Sequence, residues 1–391
     1  MKHRLQCIGC SRIFNPAQIP IYACPACGDL LHIVYNYDSL GRKFRESLHS
    51  PGPLSVWRYH RILPVSLANA ISIAEGGTGL SKSERLARSL RMSEVYFKND
   101  GQNPTGSFKD RGMTVAISRA VEIGTDTVLC ASTGNTSASM AAYAAKAGLK
   151  AIVLIPKGKI AMGKLLQAMV HGSKICQVEG NFDKALERAR KMTSGRRGLY
   201  LVNSINPYRL EGQKTLAFEV WEQLGRRIPD VVIVPVGNAG NISAIWKGFH
   251  ELRRTRLTAR VPRMIGVQAS GAAPLADAYA KNRQKVIPWP NPETIASAIR
   301  IGAPASWKKA LRAVRESRGA IIKASDEEIT AAQRLLANHE GIFAEPASAA
   351  SVAGLLKAKK ARLLTPRETV VCVITGHGLK DQKAAAAFAG L

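Results

Sequence analysis

An α/β architecture, doubly wound around parallel strands, is what the sequence predicts. Three observations predict it. Continuous runs of Val, Ile and Leu recur along the chain, as parallel strands buried on both faces require. Helical patterns lie between those runs, the alternation of a doubly wound sheet. At 391 residues the chain also exceeds the size at which one core is comfortable, so two sub-domains are expected.

The first element is different in kind. Cys7 and Cys10 (CIGC) and Cys24 and Cys27 (CPAC) form two C-x-x-C pairs. Two such knuckles bring four thiolates around one tetrahedral ion, the arrangement of a structural zinc ribbon. A segment of this size (1–37) has little core, so metal would supply its folding energy. The alternatives are disulfides, which a reducing compartment disfavours, or a metal-free relic. Strand-like LLHIVYNY closes the segment, and a connector (38–59) containing HSPGP (49–53) follows.

From about residue 60 the α/β pattern begins. Apolar runs fall at 95–98, 127–131, 151–156, 174–178, 199–203, 230–236, 263–269 and 369–375. Cys130, Cys176 and Cys372 sit inside such runs and read as inert core residues. In doubly wound sheets the chemistry collects in loops at the carboxyl ends of the strands.

Composition excludes several classes. No stretch approaches the roughly 20 apolar residues of a membrane span, and MKHRLQCIGC lacks the apolar region of a secretory signal. A cytoplasmic protein is expected. The net charge is +28, but it is spread, with modest clusters at 253–263 and 357–362. Aromatic residues are 6% and no nucleic-acid reader motif is present, so solubility and anion steering explain the charge better than nucleic-acid binding.

Three loops have unusual composition. In KNDGQNPTGSFKDRGM (98–113), Lys109 opens a helix with Met113, Ala116, Ile117, Ala120 and Val121 on one face. The positive end of a helix dipole disfavours a charged lysine, and a lysine must be neutral to attack a carbonyl. In ASTGNTSAS (131–139), hydroxyls and an amide meet a helix start, which suits an anionic oxygen, although plain N-capping would look the same. In VGNAGN (236–241), small residues after a strand let backbone N–H groups close on an anion, or simply make a tight turn. The phosphate-loop and dinucleotide glycine patterns are absent there.

Taken together and in order, NPTGSFKDRG, STGNTSAS, GNAGN and TGHGLK (375–380) resemble fold-type II pyridoxal-phosphate enzymes. NSINPYRLEGQ (203–213), AIRIGAPASW (298–307) and EPASAASVAGL (345–355) narrow the resemblance to threonine synthases, many of which carry an N-terminal ribbon. The resemblance covers about residues 50–391. It implies two doubly wound α/β sub-domains with the cofactor between them, the smaller (about 125–205) inserted in a catalytic region spanning 60–391. A homodimer is implied as well.

The resemblance also implies roles. Lys109 would be the Schiff-base lysine, with Phe108 packed beside the cofactor ring. Asn135 would bond the cofactor's phenolic oxygen. Gly237, Asn238, Ala239, Gly240 and Asn241 would cradle its phosphate. Thr375 would face the pyridine nitrogen, and an uncharged hydroxyl there does not lock the ring as a pyridinium. Ser132 and Thr133 would hold the substrate α-carboxylate. Asn203, Ser204 and Arg209 would grip a substrate phosphate, which accepts charge-assisted hydrogen bonds. The implied reaction takes O-phospho-L-homoserine and water to L-threonine and phosphate. Two other readings stand beside it: a related lyase or β-replacement enzyme (threonine dehydratase or cysteate synthase type), and a zinc-ribbon nucleic-acid-binding protein on an enzyme-like scaffold.

Overall fold

The computed structural model describes residues 3–16, 20–49, 52–157, 162–180 and 182–390. The connector HSPGP therefore lies partly outside the described residues. The chain forms two compact units: Met1–Gly77 with Lys109–Thr215, and Thr78–Phe108 with Leu216–Leu391.

The first unit holds two sheets. The N-terminal strands β1 (His3–Cys7), β2 (Ile13–Phe14) and β3 (Leu31–Tyr35) pair antiparallel in the order β2-β1-β3.

β3 alternates buried and half-buried residues, the period-2 pattern of a strand covered on one face. The second unit begins with β4 (Leu80–Lys82) and β5 (Glu94–Asn99). The chain then returns to the first unit for β6 (Thr127–Ala131), β7 (Lys150–Pro156), β8 (Lys174–Val178) and β9 (Leu199–Leu201). These four form a parallel sheet in the order β8-β7-β6-β9. The central strand β6, TVLCA, is buried throughout, as a parallel strand flanked by helices must be.

The second unit continues with β10 (Val231–Pro235), β11 (Arg263–Ala269), β12 (Ala320–Ala324) and β13 (Thr369–Ile374). Its sheet runs β12-β11-β10-β13-β5-β4, parallel except for the short antiparallel edge strand β4. The helix Pro346–Lys360 lies on this sheet through Ala349, Ala350, Val352 and Ala353. At Gly354 a Cβ would come within 2.3 Å of a Val267 methyl, so the close approach requires glycine.

The eight anticipated runs are strands, and the runs at 127–131, 174–178 and 263–269 coincide with β6, β8 and β11. The run at 199–203 ends sooner, at Leu201, which leaves Asn203 in a loop. β1, β2, β4 and β12 lie outside the expected runs. The segment 1–37 belongs to the same compact unit as 109–215, which includes the helices Lys109–Glu122 and Pro207–Gln213. The physical reason is packing: Leu5, Cys7, Cys24, Leu31, Ile33 and Tyr35 share one apolar cluster with Val115 and Tyr208.

Candidate active site

The predicted residues fall in segments that follow the carboxyl ends of strands, either in loops or in the first turn of the next helix, and each unit holds its own set.

In the first unit, the Lys109 helix begins at Lys109 itself, and Met113, Ala116, Ile117 and Ala120 are fully buried as the periodicity requires. Lys109 is half-buried. The next residue, Asp110, is buried and accepts a hydrogen bond from Ser139 Oγ at 2.5 Å, which ties this helix to the helix Asn135–Lys146. That second helix starts without any side-chain cap; its N-cap is Gly134. Ser132 Oγ turns back to the Gly134 N–H at 3.2 Å, and Ser132, Thr133 and Asn135 are all half-buried. The Ser/Thr-rich sequence therefore does not cap the helix, and its N-terminal charge remains available to an anionic oxygen.

Asn203 closes a two-bond ring with the end of β6. Its Oδ1 accepts the Ala131 N–H at 2.9 Å, and its Nδ2 donates to the Ala131 carbonyl at 2.8 Å. It fixes the start of the 132–135 loop, and one amide proton is left for a ligand. Ser204 beside it is half-buried. Arg209 lies in the helix Pro207–Gln213 and is 2% exposed. Its guanidinium donates to the Val202 carbonyl at 3.0 Å, and its Nε, also buried, has no partner. Among the described residues no carboxylate pairs with it. Burial pushes its pKa down to about 10, so the group is still charged at neutral pH.

The Arg209 helix crosses the Lys109 helix at two glycines. A Cβ on Gly212 would sit 1.7 Å from the Arg111 carbonyl, and one on Gly112 would sit 2.7 Å from the Arg209 carbonyl. Only hydrogen at both positions permits this backbone contact.

In the second unit, β10 runs into the 236–241 loop and the helix Gly240–Arg254. The N-cap, Ala239, sits in the left-handed region with φ 63° and ψ 7°, a strained setting for a residue with a Cβ, and no side chain caps the helix. Asn238 accepts backbone N–H groups from Ser306 (3.0 Å) and Ala305 (3.4 Å), which fixes the loop. Gly237 packs under Ile299, where a Cβ would come within 3.0 Å of backbone. Two buried polar atoms here are unpartnered, Asn241 Nδ2 and Ser306 Oγ. Orphaned donors at an uncapped helix start fit a phosphate that completes them.

Thr375 ends β13. Its carbonyl accepts the Phe108 N–H at 2.9 Å, so the residue preceding Lys109 is held to the residue expected to face the ring nitrogen. The Thr375 hydroxyl lies 2.9 Å from Ser348 Oγ. Sequence reasoning assigned no role to Ser348 or Ser306; both lie inside quoted motifs, EPASAAS and APASW, which was the available signal.

Two further lysines are buried nearby in sequence. Lys98 donates to the Thr78 carbonyl (2.6 Å), Glu219 (2.8 Å) and Gln223 (2.8 Å), and Lys214 donates to Glu211 (2.6 Å) and the Ile62 carbonyl (2.9 Å). An ammonium whose protons are spent on a carboxylate and carbonyls is no nucleophile.

The four cysteines Cys7, Cys10, Cys24 and Cys27 converge, their sulfurs all within 4.8 Å of one another. The closest pairs are 3.4 and 3.7 Å apart. Zn–S bonds of about 2.3 Å in a tetrahedron separate sulfurs by roughly 3.8 Å, so the set fits zinc. Burial pushes the Cys130 thiol up to about 12 and raises that of Cys372, as inert core thiols require. No helix among the described residues is long and apolar enough to cross a membrane.

The family described as pyridoxal-phosphate dependent enzyme matches residues 71–376, more than half of the chain. The chain is 52% identical over 381 residues to threonine synthase of Methanocaldococcus jannaschii, covering 97% of this chain and 93% of that protein. It is 53% identical over 334 residues to threonine synthase of Mycobacterium bovis, covering 85% and 90%. The chain belongs to the threonine synthase family. Its fold is that of fold-type II enzymes: maize serine racemase superposes with a TM-score of 0.67 at 22% identity, covering 80% of this chain and 92% of that one. Tomato threonine deaminase isoform 2 superposes with 0.68 at 21% identity, covering 91% and 95%.

Proposed function

We propose that this chain converts O-phospho-L-homoserine and water to L-threonine and inorganic phosphate, with pyridoxal phosphate held covalently by Lys109. The observation that carries the substrate choice is Arg209, a buried guanidinium with an unpartnered Nε and no carboxylate. A buried charge whose hydrogen-bond partner is a carbonyl and whose Nε is unpartnered is costly, and a phosphate dianion that accepts from it offsets that cost. An enzyme acting on free threonine would have no use for the group.

Bound pyridoxal phosphate supplies an electron sink that makes protons on the attached amino acid removable. The chain supplies the rest. Lys109 would hold the cofactor and would serve as the base at Cα. Phe108 would pack beside the ring. Asn135 would bond the phenolic oxygen. Gly237, Asn238, Ala239, Gly240 and Asn241 would receive the cofactor phosphate, with the orphaned Asn241 amide and Ser306 hydroxyl as additional donors. Thr375 would offer the ring nitrogen a hydroxyl. Ser132 and Thr133, at the uncapped start of the Asn135 helix, take the α-carboxylate. Asn203, through its remaining amide proton, acts with Ser204 and Arg209 on the substrate phosphate.

Cys7, Cys10, Cys24 and Cys27 would hold a structural zinc, and such free thiolates suit a reducing cytoplasm. A homodimer is the oligomer we propose. The deciding experiment is incubation with O-phospho-L-homoserine: phosphate and threonine should appear in equal amounts. Formation of 2-oxobutanoate from threonine, without phosphate release, would instead make the chain a dehydratase.

A further inference from the structure

The segment 201–211 carries the three residues assigned to the substrate phosphate, and it is pinned at both ends by the N-terminal sheet segment. At its start, β9 is an edge strand. Val202 N–H turns inward to the Leu129 carbonyl of β6 (2.9 Å), so the Leu201 N–H faces outward, where it donates to the Tyr22 hydroxyl at 2.7 Å. The Tyr22 ring stands edge-on to Tyr200, 6.0 Å between centroids. At its end, Tyr208 OH lies 3.0 Å from His3 Nε2, with the two rings perpendicular at 5.6 Å. Glu211 accepts the Tyr35 hydroxyl at 2.7 Å, and Lys214, which also bonds Glu211, lies 4.5 Å over the Tyr35 ring.

The His3 and Tyr35 bonds are buried and the Tyr22 bond part-buried, and they come from three places: β1, the Cys24 knuckle's approach and β3. Between them sit Asn203, Ser204 and Arg209. None of the three anchors is itself assigned to the anion site. We propose that the N-terminal segment is a positioning element for that site, with His3, Tyr22 and Tyr35 holding the chain that presents Arg209. The cysteine cluster belongs to this device, because Cys7 and Cys24 are in the same apolar cluster as Tyr208. A guanidinium must be held within about 0.5 Å to act on a phosphate in a water-poor site, and one short helix cannot hold itself so closely. The ribbon thus tunes anion affinity from outside the site.

The inference rests on the reading of Arg209 as a phosphate ligand, so the experiment separates the two. Holoenzyme carrying His3→Phe, Tyr22→Phe and Tyr35→Phe keeps the rings and loses the hydrogen bonds. Inorganic phosphate serves as the probe, through its inhibition constant, alongside kcat and KM for O-phospho-L-homoserine. The expected result is a rise in both KM and the phosphate inhibition constant of roughly fivefold or more, one lost hydrogen bond's worth at least. kcat should stay within about twofold and the cofactor absorbance should not change. Weaker thermal stability with an unchanged phosphate inhibition constant would mean a merely structural role and overturn the proposal. Arg209→Ala is measured in parallel. If it weakens phosphate and the triple variant does not, only the positioning role falls. If Arg209→Ala itself leaves phosphate inhibition unchanged, the phosphate-site reading falls first.

Discussion

The hydroxyls of Ser348 and Thr375 lie 2.9 Å apart in a buried pocket of hydrogen bonds at the end of β13. Ser348 Oγ also accepts the Gly376 N–H at 2.7 Å and lies 3.1 Å from the Gly376 carbonyl. Ser348 has one proton to give. If it goes to Thr375, the Thr375 proton is free to point at a ring nitrogen; if it goes to Gly376, Thr375 must donate back to Ser348.

Ser348→Ala should therefore act on the cofactor without touching it. Leaving the Gly376 N–H and one Thr375 bond unsatisfied is expected to cost about 1–3 kcal/mol of unfolding free energy. The absorbance band of the bound cofactor should shift as Thr375 reorients. A variant with wild-type spectrum and wild-type denaturant midpoint would show that the pairing does neither.

Borohydride reduction of the holoenzyme followed by peptide mapping should place the cofactor on Lys109 and leave Lys98 unlabelled. The two lysines should also differ in stability. Lys98→Met strands Glu219 as a buried charge without its 2.8 Å partner and is expected to cost about 3–5 kcal/mol. Lys109→Ala should fold normally and bind cofactor without the covalent link; retained turnover with normal absorbance would refute its role.

Arg209 gives a prediction with a sign. Burial lowers its pKa to about 10 from an ordinary 12.5, so between those values the unfolded chain holds a proton that the folded one releases. Stability should rise with pH across that window and carry a constant penalty below it. Phosphate binding relieves the penalty, so phosphate at 100 times its dissociation constant should add about 2.7 kcal/mol near neutral pH. In Arg209→Ala that gain should vanish, and kcat/KM for the phosphorylated substrate should fall about tenfold to hundredfold.

Gly212→Ala forces a methyl into the Arg111 carbonyl, 1.7 Å from where its Cβ would stand. The Arg209 and Lys109 helices would have to separate. A loss of at least about 1–3 kcal/mol is expected in chemical denaturation, with activity falling at full folding. A wild-type melting curve would mean that the two helices have slack.

Removal of metal should be felt where the cysteines pack. One equivalent of zinc is expected per chain, and a chelator strong enough to extract it should lower the unfolding temperature and open the buried thiols of Cys7 and Cys24 to labelling. Full stability with no bound metal would remove zinc from the description.

What was legible in the sequence was what is written locally. Buried parallel strands need continuous apolar runs, so β6, β10 and β11 could be read from five to seven residues each. A helix opening at Lys109 follows from 3.6-residue periodicity, and four cysteines in two knuckles need only spacing. β4, three residues long, and β12, partly exposed at a sheet edge, lack enough pattern to be seen. The rest was decided by tertiary structure, because it depends on partners far apart in the chain. His3 meets Tyr208 across 205 positions, and Lys98 meets Glu219 across 121. Nothing near Arg209 in sequence says that it is buried without a carboxylate; that follows from which helices cross at Gly112 and Gly212. Periodicity reports which face of an element is covered, and only the packed fold reports what covers it.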